Sequence, residues 1–423
     1  MNALIRIWKI RDLRWNILFV LGMLVIFRIA AHIPVPGIDL ENLRSFFRSN
    51  EILGLVNLFS GGTMENFSIV ALGVAPYITA SIILQLLTMI FPRLEALSKE
   101  PDGYRKINRY TRYLSVPLAL LQSYGFIALL RQSSQFQIVL DTGLFRMIAT
   151  MITLTAGTVF LMWIGELISE KKIGNGISIL IFAGIIAAMP QTIRNTLVTF
   201  DSSKTIDILI FLFIAVITIV GVIVITEGQR NIPVSYARRV QGLRSYGGTQ
   251  THLPLRVNMA GVIPIIFAIS VLLFPPLLAQ FFVHARSQWL VIASEKVIQI
   301  FQNQLFHGIF YFLLVFGFTY FYTAVVFHPD QIAENLQKQG GFIPGIRPGN
   351  HTSQYLSQVT NRIMLAGALF LGIIAILPVL VQSFTDVKTL VLGGTSLLIV
   401  VSVVLEIMNQ IEAQLTMRDY EGF

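Results

Sequence analysis

The sequence predicts an all-α integral membrane protein with ten transmembrane helices in two inverted, pseudo-symmetric halves of five. Three observations carry that expectation. Between Trp15 and Leu405 lie ten apolar stretches, each long enough to cross a bilayer, and as far as Leu405 only Arg28 within them is formally charged, with Glu406 at the end of the last. Hydrophobic residues make up 54% and charged residues 13% of the 423, against about 25% charged in soluble domains. At roughly 20 residues per span plus short connections, ten spans use nearly the whole chain and leave no sizeable soluble domain.

The first stretch, 15–33, starts at Trp15 and stops before Pro34 and Pro36. Its length, and the absence of a small-residue cleavage site after it, make it a span rather than a removable leader. Leu55 to Asn66, LVNLFSGGTMEN, is too short and polar to cross, so it reads as a re-entrant piece or as a surface loop. The second stretch, 67–91, holds Gly73, Pro76, Tyr77, Thr79, Ser81 and Gln85. Such residues are tolerated where a helix faces protein or a water-filled cavity.

Stretches 113–130, 147–165, 177–193 and 208–226 follow as the third to sixth spans. The seventh, 257–283, resembles the second in carrying Asn258, Gly261, Pro264, Ser270, Pro275 and Pro276. Spans at 305–327, 363–385 and 389–407 complete the set. Taken singly, each polar residue reads as ordinary helix packing. Their concentration in two helices points to a path. Val74 and Ile78, and likewise Ile177 and Ile181, lie four apart and share a helix face; on the residues alone they read as packing or lipid-facing positions. Arg28, near the outer end of its span, is expected to snorkel to the interface.

Two loops exceed what connection needs. Residues 227–256 carry five arginines interleaved with Tyr236 and Tyr246, and 328–356 carry Gly340, Gly341, Pro344, Gly345, Arg347, Pro348 and Gly349. They read as contact surfaces, with enforcement of topology as the competing explanation for the arginines. Alternate loops hold twenty-one and nine Lys or Arg residues, which places the richer set, and both termini, in the cytoplasm. Topology therefore accounts for most of the +9 net charge, with no need for a nucleic-acid partner. Five spans per half, 1–200 and 201–423, imply an inverted repeat by counting alone.

The composition also excludes chemistry. There is no cysteine, and no two of the six histidines are three or four residues apart, so neither a cofactor nor a metal is expected. The middle of each span lacks the Asp, Glu or His typical of a secondary transporter, and no catalytic pair suits an intramembrane protease. With no P-loop either, the chain is not expected to be an enzyme.

Five runs carry a resemblance: FSGG at Phe59–Gly62, IGNGIS at Ile173–Ser178, THLPLRVNMAGVIP at Thr251–Pro264, FIPGIRPG at Phe342–Gly349 and GGTSLLIVV at Gly393–Val401. In this order they resemble the SecY/Sec61-alpha family, whose bacterial members are central subunits of the Sec protein-conducting channel. The similarity runs from about Trp15 to about Gln410, and the loops look bacterial or plastid, with bacterial preferred.

The resemblance implies a channel that moves unfolded secretory preproteins across the membrane and releases apolar segments sideways into lipid. Its central hourglass pore would have a waist of Val74, Ile78, Ile177, Ile181, Ile266 and Ile399, with valine at 74 where isoleucine is common. A plug, about 55–66, would include Phe59, Ser60, Gly61, Gly62 and Thr63. A lateral gate between the second and third spans and the seventh and eighth would carry Thr79, Gln85, Asn258 and Phe274. Arg347 matches an arginine needed for coupling to the SecA motor, and Arg238, Arg239 and Arg244 are candidate SecA or ribosome contacts. SecE, SecG, SecA, the ribosome, signal sequences and lipid are the implied partners. The implied location is the bacterial inner (plasma) membrane.

Overall fold

The computed structural model describes residues 10–49, 57, 60–98, 100, 102–132, 143–198, 205–236, 239–241, 244–246, 250–283, 287–384 and 393–421. The chain is mostly helical. In order, the helices are α1 Arg11–Ala30, α2 Leu40–Ser49, α3 Ala75–Ile90, α4 Pro92–Ser98, α5 Gly103–Gln132, α6 Leu144–Glu170, α7 Gly176–Val198 and α8 Thr205–Glu227. They continue with α9 Ile263–Phe282, α10 Gln288–Gln302, α11 Gln304–Val326, α12 Pro329–Lys338, α13 Asn350–Phe384 and α14 Gly393–Glu421.

Among the described residues six helical segments are long and apolar enough to cross a membrane, and the bent pair α3 and α4 makes a seventh; α7, α8 and α9 contain shorter apolar helices. Most of these surfaces are apolar on the outside as well. In α8, for example, Leu209, Leu212, Phe213, Ile217 and Val224 are all exposed, as expected of a helix whose solvent is hydrocarbon.

Two helices start later than the apolar runs suggested. The second span was expected from 67, yet α3 begins at Ala75, and the residues before it form consecutive turns. Gly73 lies at φ +57, a left-handed conformation that ends any helix approaching from the N-terminal side, and Pro76 opens α3 in its first turn. Phe67, Val70 and Ala71 are apolar because they are wholly buried in protein, not because they are helical. The seventh span was expected from 257; α9 begins at Ile263, after Gly261 at φ +62 and with Pro264 in the first turn. At its far end α3 breaks at Phe91 and turns by 107° into α4, which Pro92 opens.

The expectation of an all-α chain is corrected at the two long loops. Strands β1 Gln229–Tyr236, β2 Arg239–Gln241, β3 Arg244–Tyr246, β4 Gln250–Arg256 and β5 Gly341–Phe342 form two small sheets. β1 lies between β4 and β5, antiparallel to both, with Ile232 opposite Leu253 and Ser235 opposite Phe342. One sheet thus ties both loops together. Ile232 and Val234 alternate inward on β1 and bury with Leu255, Ile343, Leu356 and Val359, the period-two pattern of a half-buried strand.

The main core is one apolar cluster that draws on α1, α3, α6, α7, α8, α9, α11, α13 and α14. Helices before and after the 199–204 connection meet mainly at two seams. At one, α9 packs on α3 and α5; at the other, α14 packs on α7.

Candidate functional site

The six aliphatic positions expected at a pore waist come from four different stretches of chain, and all fall in or against the same core cluster. Val74, Ile78, Ile181, Ile266 and Ile399 are buried members, and Ile177 is half-buried against them. Val74 caps the N-terminus of α3 rather than lying inside it, but its carbonyl accepts from the Ile78 N–H at 3.1 Å, so the two remain one turn apart. Ile399 is completely buried near the start of α14.

Above this cluster in sequence order lies the FSGG segment. Leu55, Val56, Leu58 and Phe59 fall outside the described residues; Asn57 and Ser60 to Asn66 are described. The tip is a set of local hydrogen bonds. Ser60 Oγ donates to the Asn57 carbonyl at 2.8 Å, the Gly62 N–H donates to the same carbonyl at 2.8 Å, and Thr63 Oγ1 donates to the Ser60 carbonyl at 2.9 Å. Asn57 and Glu65 close the turn twice: Asn57 Nδ2 donates to Glu65 Oε2 at 2.8 Å and the Glu65 N–H to Asn57 Oδ1 at 3.0 Å. The base of the segment is pinned. Val35 N–H donates to the Phe67 carbonyl at 2.9 Å, and the Phe67 ring stacks on Phe126 with centroids 5.8 Å apart.

Three contacts hold the segment that sequence reasoning missed. Gly61, at φ +76, lies backbone to backbone against Gly184 of α7, one turn beyond Ile181. Arg44 on α2 donates to Asn66 Oδ1 at 3.0 Å. Arg28 Nη1 donates to the Gly61 carbonyl at 2.9 Å, which corrects the expectation that this side chain snorkels to the interface. Only the Gly184 contact left a trace in the sequence, as a glycine in an apolar helix where backbones approach closely.

The expected gate residues lie on or beside helices that meet at the α9 seam, and the hydrogen bonds recorded for them stay on their own side of it. Thr79 Oγ1 donates to the Ala75 carbonyl at 3.0 Å and receives a long 3.5 Å bond from Gln122 of α5. Gln85 Nε2 donates to Ser81 Oγ at 3.2 Å, and Asn258 Nδ2 to the Gly261 carbonyl at 3.3 Å. Asn258 precedes α9 instead of lying within a span. Gln85 Oε1 and Asn258 Oδ1 are buried without a partner among the described residues. Phe274 is half-buried on α9.

Arg347 is exposed on the turn between β5 and α13. Gly345 at φ +80 and Gly349 at φ +93 shape that turn, and the Arg347 carbonyl accepts from Thr352 Oγ1 at 2.9 Å. Arg239 and Arg244 lie on the paired strands β2 and β3; Arg238 lies outside the described residues.

The SecY family model matches residues 68–408, more than half of the chain. The chain belongs to the SecY family. A protein translocase subunit SecY from Streptomyces galbus is 44% identical over 441 residues, covering 100% of this chain and 99% of that one. Its counterpart from Mycobacterium bovis is 42% identical over 447 residues with the same coverage. Among solved structures, one described as a protein conducting channel matches with a TM-score of 0.61 at 16% identity over 93% of this chain and 91% of its own. Sec61 in the canine ribosome-channel complex matches with a TM-score of 0.59 at 15% identity over the same shares. These structural matches establish the shared fold, and the SecY relatives the family.

Proposed function

We propose that this SecY-family chain is the channel-forming subunit of a protein translocase, passing unfolded preproteins through a pore between its two halves. The observation that carries the reading is the seat of the Ser60–Gly62 tip on Gly184, one turn from Ile181 in the cluster that also holds Val74, Ile78, Ile266 and Ile399. A plug so placed closes the path above an aliphatic waist. The waist dewets and blocks ions, and its flexible side chains yield to many passing residues while binding none tightly.

In this reading the seven longer spans and the three shorter apolar helices make ten crossings, with residues 1–200 and 201–423 as inverted halves and both termini cytoplasmic. The sheet of β4, β1 and β5 then faces the cytoplasm, where Arg347 offers a fixed cation to carboxylates of the SecA motor. Arg238, Arg239 and Arg244 lie on the same side for SecA or the ribosome. SecE and SecG are the expected companion subunits. A signal sequence inserts where α9 parts from α3 and α5, past Thr79, Gln85, Asn258 and Phe274, and is stabilised by moving its apolar core into lipid. The chain itself breaks no bond; energy comes from the motor, the ribosome or the proton-motive force across the bacterial inner membrane.

The test is reconstitution of the purified chain with SecE in proteoliposomes, with SecA, ATP and a labelled preprotein added. Protease-protected preprotein that requires ATP supports the reading. Its absence, with the partners active on a control channel, overturns it in favour of small-solute transport.

A further inference from the structure

We infer that Arg28 is the latch that holds the closed plug, so that opening begins with release of the Gly61 carbonyl. The inference rests on the plug assignment proposed above and adds a residue and a bond to it.

Arg28 sits in the last turn of α1, 33 residues from Gly61 in sequence, and is half-buried. It is the formal charge within the first apolar stretch, in surroundings that favour neither its charge nor its hydrogen-bonding hydrogens unless they are met. Among the described residues its recorded partner is a backbone carbonyl and not a carboxylate. A carboxylate would have fixed the cation permanently. A carbonyl on a segment that packs by small residues can be given up and regained.

The carbonyl is also well chosen. Gly61 is buried and pressed against Gly184, so the residue whose backbone fits the seat is the residue that Arg28 grips. The base of the segment is separately anchored through Phe67, Val35 and Phe126. Movement is therefore centred on the tip, where among the described residues the recorded contacts are the Gly184 seat, the local turn bonds and Arg28, with Arg44 holding the C-terminal end of the segment through Asn66. The Arg28 bond joins Gly61 at the tip to α1 through a charge-assisted hydrogen bond, a class stronger than neutral ones, whereas the Arg44 bond reaches the segment at Asn66, outside the tip.

The guanidinium reach matters as well as the charge. Lysine is a shorter, strongly hydrated point charge that does not present the same planar donor fork. An interfacial anchor would accept lysine without loss; a latch aimed at one carbonyl would not.

The experiment measures resting ion conductance of the full-length chain in planar bilayers for wild type, Arg28→Gln, Arg28→Lys, a deletion of residues 57–65, and the deletion combined with Arg28→Gln. Loss of a hydrogen bond to a charged group predicts that Arg28→Gln raises the open fraction about tenfold to hundredfold, with Arg28→Lys also leaking. In the deletion background Arg28→Gln should add nothing, because the bond it breaks is already gone. A deletion that leaks while both Arg28 variants stay sealed would overturn the latch and leave the plug standing. A deletion that does not leak would remove the plug and the latch together. Arg28→Gln adding its full effect to the deletion would assign the side chain to the span and not to the plug.

Discussion

Gly61 and Gly184 touch through their backbones: a Cβ on Gly61 would lie 2.6 Å from the Gly184 Cα, and one on Gly184 would lie 2.9 Å from the Gly61 Cα. Neither distance is compatible with a side chain unless the tip moves. Gly61 carries the additional demand of φ +76, so alanine there is strained by its backbone as well.

Gly184→Ala therefore separates space from strain, since Gly184 is helical. Inserting one methyl into a closed contact costs about 1–3 kcal/mol when the neighbours must shift. If the segment is the plug proposed above, that cost falls on its closed position. The expected outcome is a raised resting conductance in planar bilayers with preprotein transport retained. A seal as tight as wild type would show that the tip moves aside without opening the path, and that this contact is not part of closure.

The aliphatic cluster gives a second prediction. Ile181 and Ile399 come from α7 and α14, and both are buried. If they line the waist, Ile181→Asn supplies hydrogen-bonding groups to a constriction that excludes water by being apolar. Ion conductance should rise once the plug is displaced by a translocating chain, while the resting channel stays largely sealed by the plug. Conductance unchanged in both states would place Ile181 in packing and move the constriction elsewhere.

How much of this was legible in the sequence differs by residue. All ten apolar stretches carry helix, because a length of apolar side chains is a local property that hydropathy reads directly. The starts of α3 and α9 were placed too early, since burial in protein and burial in lipid demand the same residue types; only the positive φ at Gly73 and Gly261 separates them. The sheet was present in the pattern as Ile232, Val234, Leu253 and Leu255, but its strands are short and separated by arginines, so the alternation is too brief to stand out from a charged loop. Arg28 could not have been read locally, because its partner lies 33 residues away. The residues expected at a pore, plug and gate came from motif resemblance, and the structure adds that five of the six aliphatic positions are buried in one cluster with Ile177 packed against it.

Arg347 supplies a prediction that separates coupling from folding. Its side chain is exposed, and its fold contribution on record is the backbone carbonyl that accepts from Thr352 Oγ1. Arg347→Glu leaves that bond in place, so stability should change by no more than about 0.5 kcal/mol. On the proposed coupling role, export driven by SecA should fall steeply, because a carboxylate would then meet the motor's carboxylates. Normal export at normal expression would remove the coupling role from this residue.

The sheet joining the two loops makes the final prediction, because it determines what holds Arg347 in place. β5 reaches the rest of the molecule by pairing with Ser235 and Tyr236 of β1. Beneath it Val234 is 2% exposed and packs with Ile343 and Leu356, which flank the Arg347 turn on either side. Val234→Asp would bury a carboxylate in that cluster without a partner, at a cost of several kcal/mol unless the strand pulls away. The membrane helices have a separate main core, and α13 enters the smaller one at its N-terminal end through Leu356 and Val359. The variant should therefore insert and stay sealed, while limited proteolysis cuts newly near Gly340 to Gly349 and SecA-driven export drops as it does for Arg347→Glu. Protease resistance with export lost would instead mean that β1 contacts the motor directly. Protease sensitivity with export intact would show that the motor holds the Arg347 turn by itself, with no need of the sheet.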